Sequence, residues 1–340
     1  MQKNALIVPL LLALAGPAAG ASSAPQGTEP SDLKTRTFLF TYRAVVKDIP
    51  SGSRSLSVWL PFPQTDRNQT IHQVTVQAPG AVTIGREPRY GNEAVYFQAA
   101  SPQGPMEITM EVVATRRENA GERETLSPED ARQYLMAEPL VPLDGPVKAL
   151  AVEATEGKRS DAEKARAIYE KVTGIMKYDK SGTGWGRGDA VWACDAKRGN
   201  CTDFHALIIG MARSQGIPAR FAIGFPLPEQ RGTGEIPGYH CWAEMYVQGK
   251  GWVPVDSSEA AKALAAGNTA KKDYFYGHHD ENRLEFSRGR HLVLNPRQQG
   301  EPLNFFVYPY AEVDGKKHEA VERRVTFEDL KDAPVSREAR

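Results

Sequence analysis

The chain is poor in cysteine. It has three, at positions 194, 201 and 241, in 340 residues. So small and odd a set excludes the disulfide framework of a compact secreted scaffold, and leaves at least one thiol free or paired outside the chain. Net charge is also lacking, with 42 basic side chains against 42 acidic ones. No basic stripe stands out, so a nucleic-acid partner is not expected. After the first residues no apolar run is long enough to span a bilayer, and no internal repeat is visible. Metal-ligand spacing is missing as well. The adjacent histidines of "GHHDE", His278 to Glu281, project poorly toward one ion and read as a solvated turn.

What is present begins at the N-terminus. "MQKNALIVPLLLALAGPAAGASSA" has an early lysine, an apolar run from Ala5 to about Ala15, and the small residues Ala19-Gly20-Ala21. This is the layout of a secretory signal peptide, expected over residues 1–21, and it predicts a periplasmic or secreted protein without a membrane span after cleavage. Residues 22–34 are small, polar and proline-bearing, and read as a linker. From 35 to 116 the texture is β, with short alternating runs such as "TFLFTYRAVV", "SLSVWLPFP" and "MEITMEVVAT" broken by turn residues. A small β-sandwich-like domain follows from this spacing.

Residues 125–315 read differently. Ser127 caps a helix in "SPEDARQYL", with Pro128 at its first position. In "DAEKARAIYEKVTGIMKY" a helical stripe runs through Ala165, Ile168, Val172 and Ile175. A Gly-rich loop bearing Trp185 and Trp192 leads to the helix of Cys201, and β texture returns after Gly216. Helices first and strands later predict an α+β domain, and the charged residues 316–340 read as a tail that frays.

The chemistry gathers in two segments. In "GNCTDFHALIIGMARSQGIPAR", Asn200 is placed to cap a helix and Asp203 to reach back, so Cys201 falls in the first turn, where free N–H groups favour a thiolate. Phe204, Leu207, Ile208 and Met211 form the apolar stripe that would hold it rigid. Taken alone, the residue could equally be a small buried hydrophobe. In "GYHCWAEMYVQGKGWVPVDSS" a hairpin brings His240 and Asp256 to one end, as a base and its orienting acceptor require. Strand parity sets His240, Trp242, Glu244 and Tyr246 on one face and Cys241, Ala243 and Met245 on the other, which turns Cys241 away from the site. His205, a turn beyond Cys201, lacks an obvious orienting carboxylate and reads as a packing residue. Cys194 and Cys241 could pair in an oxidising compartment and leave Cys201 free.

The pattern G-x-C-x-D-F, then G-I-P-A-R, H-x-W-x-E and G-W-x-P-V-D resembles the transglutaminase-like superfamily, over roughly Ser127 to Tyr310. The resemblance implies a papain-like core of helices packed on an antiparallel sheet or barrel, with Cys201 as nucleophile, His240 as general base and acid, and Asp256 orienting the imidazole. Where such families commonly carry alanine, this chain has Cys241. The oxyanion donor is open between the Cys201 backbone N–H and the indoles of Trp185 or Trp192. Together these features predict a thiol acyl-transfer enzyme acting on a protein or peptide, needing no cofactor and no metal, with hydrolysis of a peptide or amide bond as the expected outcome. Protein cross-linking by transfer to an amine is the first alternative. An exported binding scaffold that keeps the fold without catalysis is the second.

Overall fold

Alternation decides the architecture of the N-terminal half. The computed structural model describes residues 33–331, so the expected signal peptide and most of the linker lie outside the described residues. Strand Thr35–Val46 alternates as far as Ala44, burying Phe38, Phe40, Tyr42 and Ala44. It pairs antiparallel with Met106–Arg117 on one side and Val321–Asp329 on the other; Gln69–Gln77 and the short Thr233–Glu235 form the edges of this five-stranded sheet. In a second five-stranded sheet, Ser55–Phe62 lies between Glu93–Ala100 and Tyr310–Val313, with Val82–Arg86 and Lys316–Lys317 outermost. Inward residues of both sheets, among them Met110, Val112, Leu60 and Phe97, join one buried cluster. Each such large apolar side chain contributes about 1.5–3 kcal/mol by leaving water.

The charged C-terminal segment corrects an expectation. Far from fraying, Val321–Asp329 pairs in continuous register with the first strand, from Val46 opposite Val321 to Phe38 opposite Asp329. Only Val325 and Phe327 of this strand are buried. Two inward residues on alternate positions suffice, because the face they complete is supplied by strands far away in sequence. Arg36, buried beside them, clamps the segment with a bidentate pair to Asp329 at 2.7 and 2.9 Å.

In the second half, helices pack on a four-stranded antiparallel sheet ordered Gly251–Val255, His240–Val247, Ala219–Pro226, Arg283–Arg288. Helix Asp161–Ile175 begins with a capping box between Ser160 and Glu163 and buries Ala165, Ile168 and Val172, with Tyr169 beside them. The loop after it contains a further short helix, Ala190–Ala196, capped by Asp189. Helix Cys201–Ser214 is the centre of this half: every residue from Cys201 to Arg213 is buried. A helix covered on all sides has neighbours all round; here they are the helices Gly145–Ala154, Asp161–Ile175 and Ala190–Ala196, with the sheet beneath.

The two halves are joined by both kinds of contact. Phe40 and Tyr42 of the sandwich stack against Phe225 and Phe286 of the four-stranded sheet, at centroid distances of 5.4–6.1 Å. Polar side chains then lock the register: Gln69 exchanges two hydrogen bonds with the Glu285 backbone, and Asn92 does the same with Arg288. Buried amides satisfied so completely fix one relative placement rather than several.

Candidate active site

The site is built from the start of one helix and the end of one hairpin. Asn200 caps the helix, its side chain accepting from Thr202 N at 3.0 Å, while Asp203 accepts from Asn200 N at 3.0 Å. Asp203 also takes the N–H groups of Gly186 and Gly188, at 2.7 and 2.9 Å. One carboxylate therefore closes the capping box and latches the Gly-rich loop beside the sulfur. The glycine two residues before the cysteine follows from the same packing, since a Cβ at Gly199 would overlap Asp203. Cys201, the first residue of the helix, is almost wholly covered.

Across from it, strands His240–Val247 and Gly251–Val255 are joined by residues 248–250, in register from Val247 opposite Gly251 to Ala243 opposite Val255. That register, carried forward, sets Asp256 opposite Trp242 and diagonal to His240 on the same face, close enough for two extended side chains to meet. They do: His240 Nε2 lies 2.7 Å from Asp256 Oδ2. The carboxylate accepts, so Nε2 carries the proton and Nδ1 is the nitrogen left for the sulfur. Cys201 and His240 are near enough that each shifts the other's proton. All three residues named from the sequence are thus in one chain of contacts.

Asp256 is held on every side. It caps helix Ser257–Ala265, its Oδ1 accepting from Ser258 Oγ at 3.0 Å and Glu259 N at 3.1 Å, and Arg283 Nη1 stands 3.2 Å from Oδ2. Arg283 is itself buried and pairs with Asp280 at 2.6 Å. No spacing signal in the sequence pointed to it; a basic residue in an inward strand position of "RLEFSR" was the only trace.

His205 also belongs to this network. Its Nε2 stands 3.6 Å from Asp256 Oδ1, beyond hydrogen-bond range. Nδ1 lies 2.8 Å from the carbonyl of Cys201, which can only accept, and 3.5 Å from Cys241 Sγ. Cys241 corrects a second expectation. It does face away from His240 along the strand, but that is the face on which the cysteine helix lies, and its thiol is near enough to Cys201 that each shifts the other's proton. The helix start straddles the strand end, so both sides of the strand reach the sulfur. Cys194 is elsewhere: its Sγ sits 3.6 Å from the Pro146 carbonyl, and all three cysteines are reduced. The suggested pairing of Cys194 with Cys241 is therefore absent.

The remaining candidates are engaged away from the sulfur. Trp185 donates its indole N–H to the Gly182 carbonyl at 3.1 Å, and the Trp192 indole packs against Gly184 with Arg198 over its ring. Tyr239, which the sequence reading passed over, accepts from Asn200 Nδ2 at 3.1 Å and forms an aromatic wall with Phe305 and Tyr308. Its position directly before His240 was the available signal. The "GHHDE" turn is not solvated throughout, because His279 is fully buried against Trp242.

Electrostatics divide the protons unequally. Burial pushes the Cys201 thiol up, but hydrogen bonds to Cys241 and His240, and the His240 charge, bring it well below its ordinary value of 9.0. Burial would lower His240, yet the charge and hydrogen bond of Asp256, followed by Cys201, raise it to about 10. Burial likewise opposes ionisation of Asp256, and His240, His205 and Arg283 overcome it, holding the carboxyl well below 3.8. The arrangement favours a thiolate beside an imidazolium, backed by a carboxylate.

Comparison with known proteins agrees with this geometry. Residues 148–257 match the sequence profile of the Transglutaminase-like superfamily. An uncharacterized protein of Haemophilus influenzae is 28% identical over 325 residues, covering 84% of this chain and 87% of that one. Among solved structures, a candidate cysteine protease from Cytophaga hutchinsonii superposes with a TM-score of 0.57 at 14% identity, covering 89% of this chain and 93% of the other. A fainter likeness, with a TM-score of 0.36 at 14% identity over 68% of this chain and 91% of the other, is to the periplasmic domain of TgpA from Pseudomonas aeruginosa. The fold of the first of these spans the sandwich as well as the helical half. Residues 148–257 are thus similar to the transglutaminase-like superfamily, and Cys201, His240 and Asp256 all fall within that span.

Proposed function

We propose that the protein is an exported thiol acyl-transfer enzyme that hydrolyses peptide or amide bonds. The observation that supports this most is the relay itself: Asp256 within 2.7 Å of His240, and Cys201, at a helix start, whose thiol the nearby His240 brings down. In this reading the Cys201 thiolate attacks the carbonyl carbon of the amide. The negative charge formed on oxygen is met by the Cys201 N–H. Asn200 already accepts the N–H groups of Thr202 and Asp203, so the cap leaves that one donor toward the reacting carbonyl. The imidazolium of His240 gives its proton to the departing amine, and the acyl group remains on sulfur as a thioester. Neutral His240 then takes a proton from water, which attacks the thioester and frees the acid. Asp256 keeps the ring oriented and its charged form stable throughout.

Hydrolysis is preferred to transfer because the solved structure that superposes at a TM-score of 0.57 is a candidate cysteine protease. Export is supported by the leader-like first residues; among the described residues, no helix is long and apolar enough to cross a membrane. The test is a panel of acyl-peptide amides offered with and without a primary amine, using the wild-type chain and Cys201→Ala. Release of free acid by the wild type alone is expected. Amine incorporation outpacing hydrolysis would reassign the enzyme as a cross-linker. No turnover and no acylated Cys201 with any substrate would favour the binding scaffold.

A further inference from the structure

The mechanism uses one sulfur, yet the site contains two. Cys241 is fully buried, on the strand residue adjoining His240, and its Sγ and the Cys201 carbonyl both lie against His205 Nδ1, at 3.5 and 2.8 Å. Its rotamer is held by His205. The Cys201 carbonyl can only accept, so His205 Nδ1 carries the proton and shares it with Cys241 Sγ at 3.5 Å. That leaves the Cys241 S–H free to point at the Cys201 sulfur. The other nitrogen of His205 is buried without a hydrogen-bond partner, facing Asp256. A second thiol, wholly covered and fixed by a histidine, serves as neither nucleophile, acid nor base in the relay above. Its position suits a different reaction of Cys201.

We infer that Cys241 is a resolving cysteine, which captures Cys201 as a reversible disulfide when a peroxide oxidises the nucleophile. The chemistry closes in two steps. The Cys201 thiolate attacks one peroxide oxygen, the O–O bond breaks, hydroxide leaves, and Cys201 becomes a sulfenic acid. The Cys241 sulfur then attacks the Cys201 sulfur, the S–O bond breaks, and water departs with the Cys241 proton. In sum, two thiols lose two protons and two electrons, and hydrogen peroxide becomes two waters. A dithiol reductant reverses the product by exchange. Without a neighbouring thiol, the sulfenic acid is open to further oxidation, which is irreversible at the sulfinic stage for an ordinary protein. The inference stands on the thiol geometry alone. Loss of acyl transfer on oxidation is a consequence that rests on the function proposed above.

The experiment exposes the intact chain to limiting hydrogen peroxide, then measures free thiols and maps cross-linked peptides by mass spectrometry, before and after dithiothreitol. The wild type is expected to lose two thiols, to yield one peptide pair joining Cys201 to Cys241, and to recover both thiols on reduction. Cys194→Ser should behave the same way. Cys241→Ala, with Cys241→Ser as a second variant, should instead accumulate sulfinic and sulfonic acid on Cys201 that dithiothreitol does not reverse. A wild type that over-oxidises at Cys201 as readily as Cys241→Ala overturns the inference. So does a cross-link that runs through Cys194. Because no substrate turnover is read, failure here leaves the acyl-transfer reading standing, and the converse holds.

Discussion

Cys194 and Cys201 sit on consecutive helices of the same segment and have opposite surroundings. Cys194 is partly exposed, lies against a backbone carbonyl, and is pushed up by burial, with only a weak offset from Lys197. Cys201 is more deeply covered, yet its thiol is brought well below the ordinary value, because His240 and Cys241 supply hydrogen bonds and a positive charge. Burial has the same sign for both thiols. The difference between them lies in the partners that the hairpin delivers, so reactivity here belongs to the tertiary contact and not to cysteine or to its helix.

The sharpest way to break that comparison is to remove the partner. His240→Ala should slow alkylation of Cys201 by at least about tenfold at neutral pH, toward the rate of Cys194, because an unassisted thiol is only a few per cent ionised there. Peptide-resolved labelling with iodoacetamide measures both sulfurs in one sample, and an unchanged Cys201 rate would show that the helix start alone activates it. A smaller effect is expected at the latch. Asp203→Ala leaves the N–H groups of Asn200, Gly186 and Gly188 without their acceptor, at a cost of about 1–3 kcal/mol in stability for the buried donors. Thermal unfolding reports this, and Asp203→Asn should recover part of it. Equal stability of Asp203→Ala and wild type would mean that the Gly-rich loop is held by other contacts.

The relay was legible in the sequence because each member sits in a local signature: a cap and acidic partner around Cys201, and a hairpin with a countable register between His240 and Asp256. The sandwich strands were legible for the same reason, alternation. What escaped depends on docking between distant elements. Parity correctly separates His240 from Cys241 along the strand, but it says nothing about a helix end that touches both faces at once. Arg283 and His205 became visible only when a third strand and a carboxylate were brought beside them. The last strand was missed because Val325 and Phe327 are its only buried residues, set among charges. The apolar partners that make sense of them come from the chain's beginning.

The thiolate–imidazolium pair is the central claim, and its pH dependence tests it most directly. His240 is raised to about 10, so the imidazolium, and the hold it gives on the thiolate, persist below that value and are lost as pH climbs through it. Cys201 is lowered, so its thiolate persists above that lowered value and is lost only as pH falls through it. Alkylation rates of Cys201 and Cys194, followed in the same protein from about pH 5 to about pH 9, should therefore diverge. The account predicts a clearly shallower profile for Cys201, against a rise of roughly tenfold per pH unit for Cys194. Two profiles that climb in parallel would contradict it.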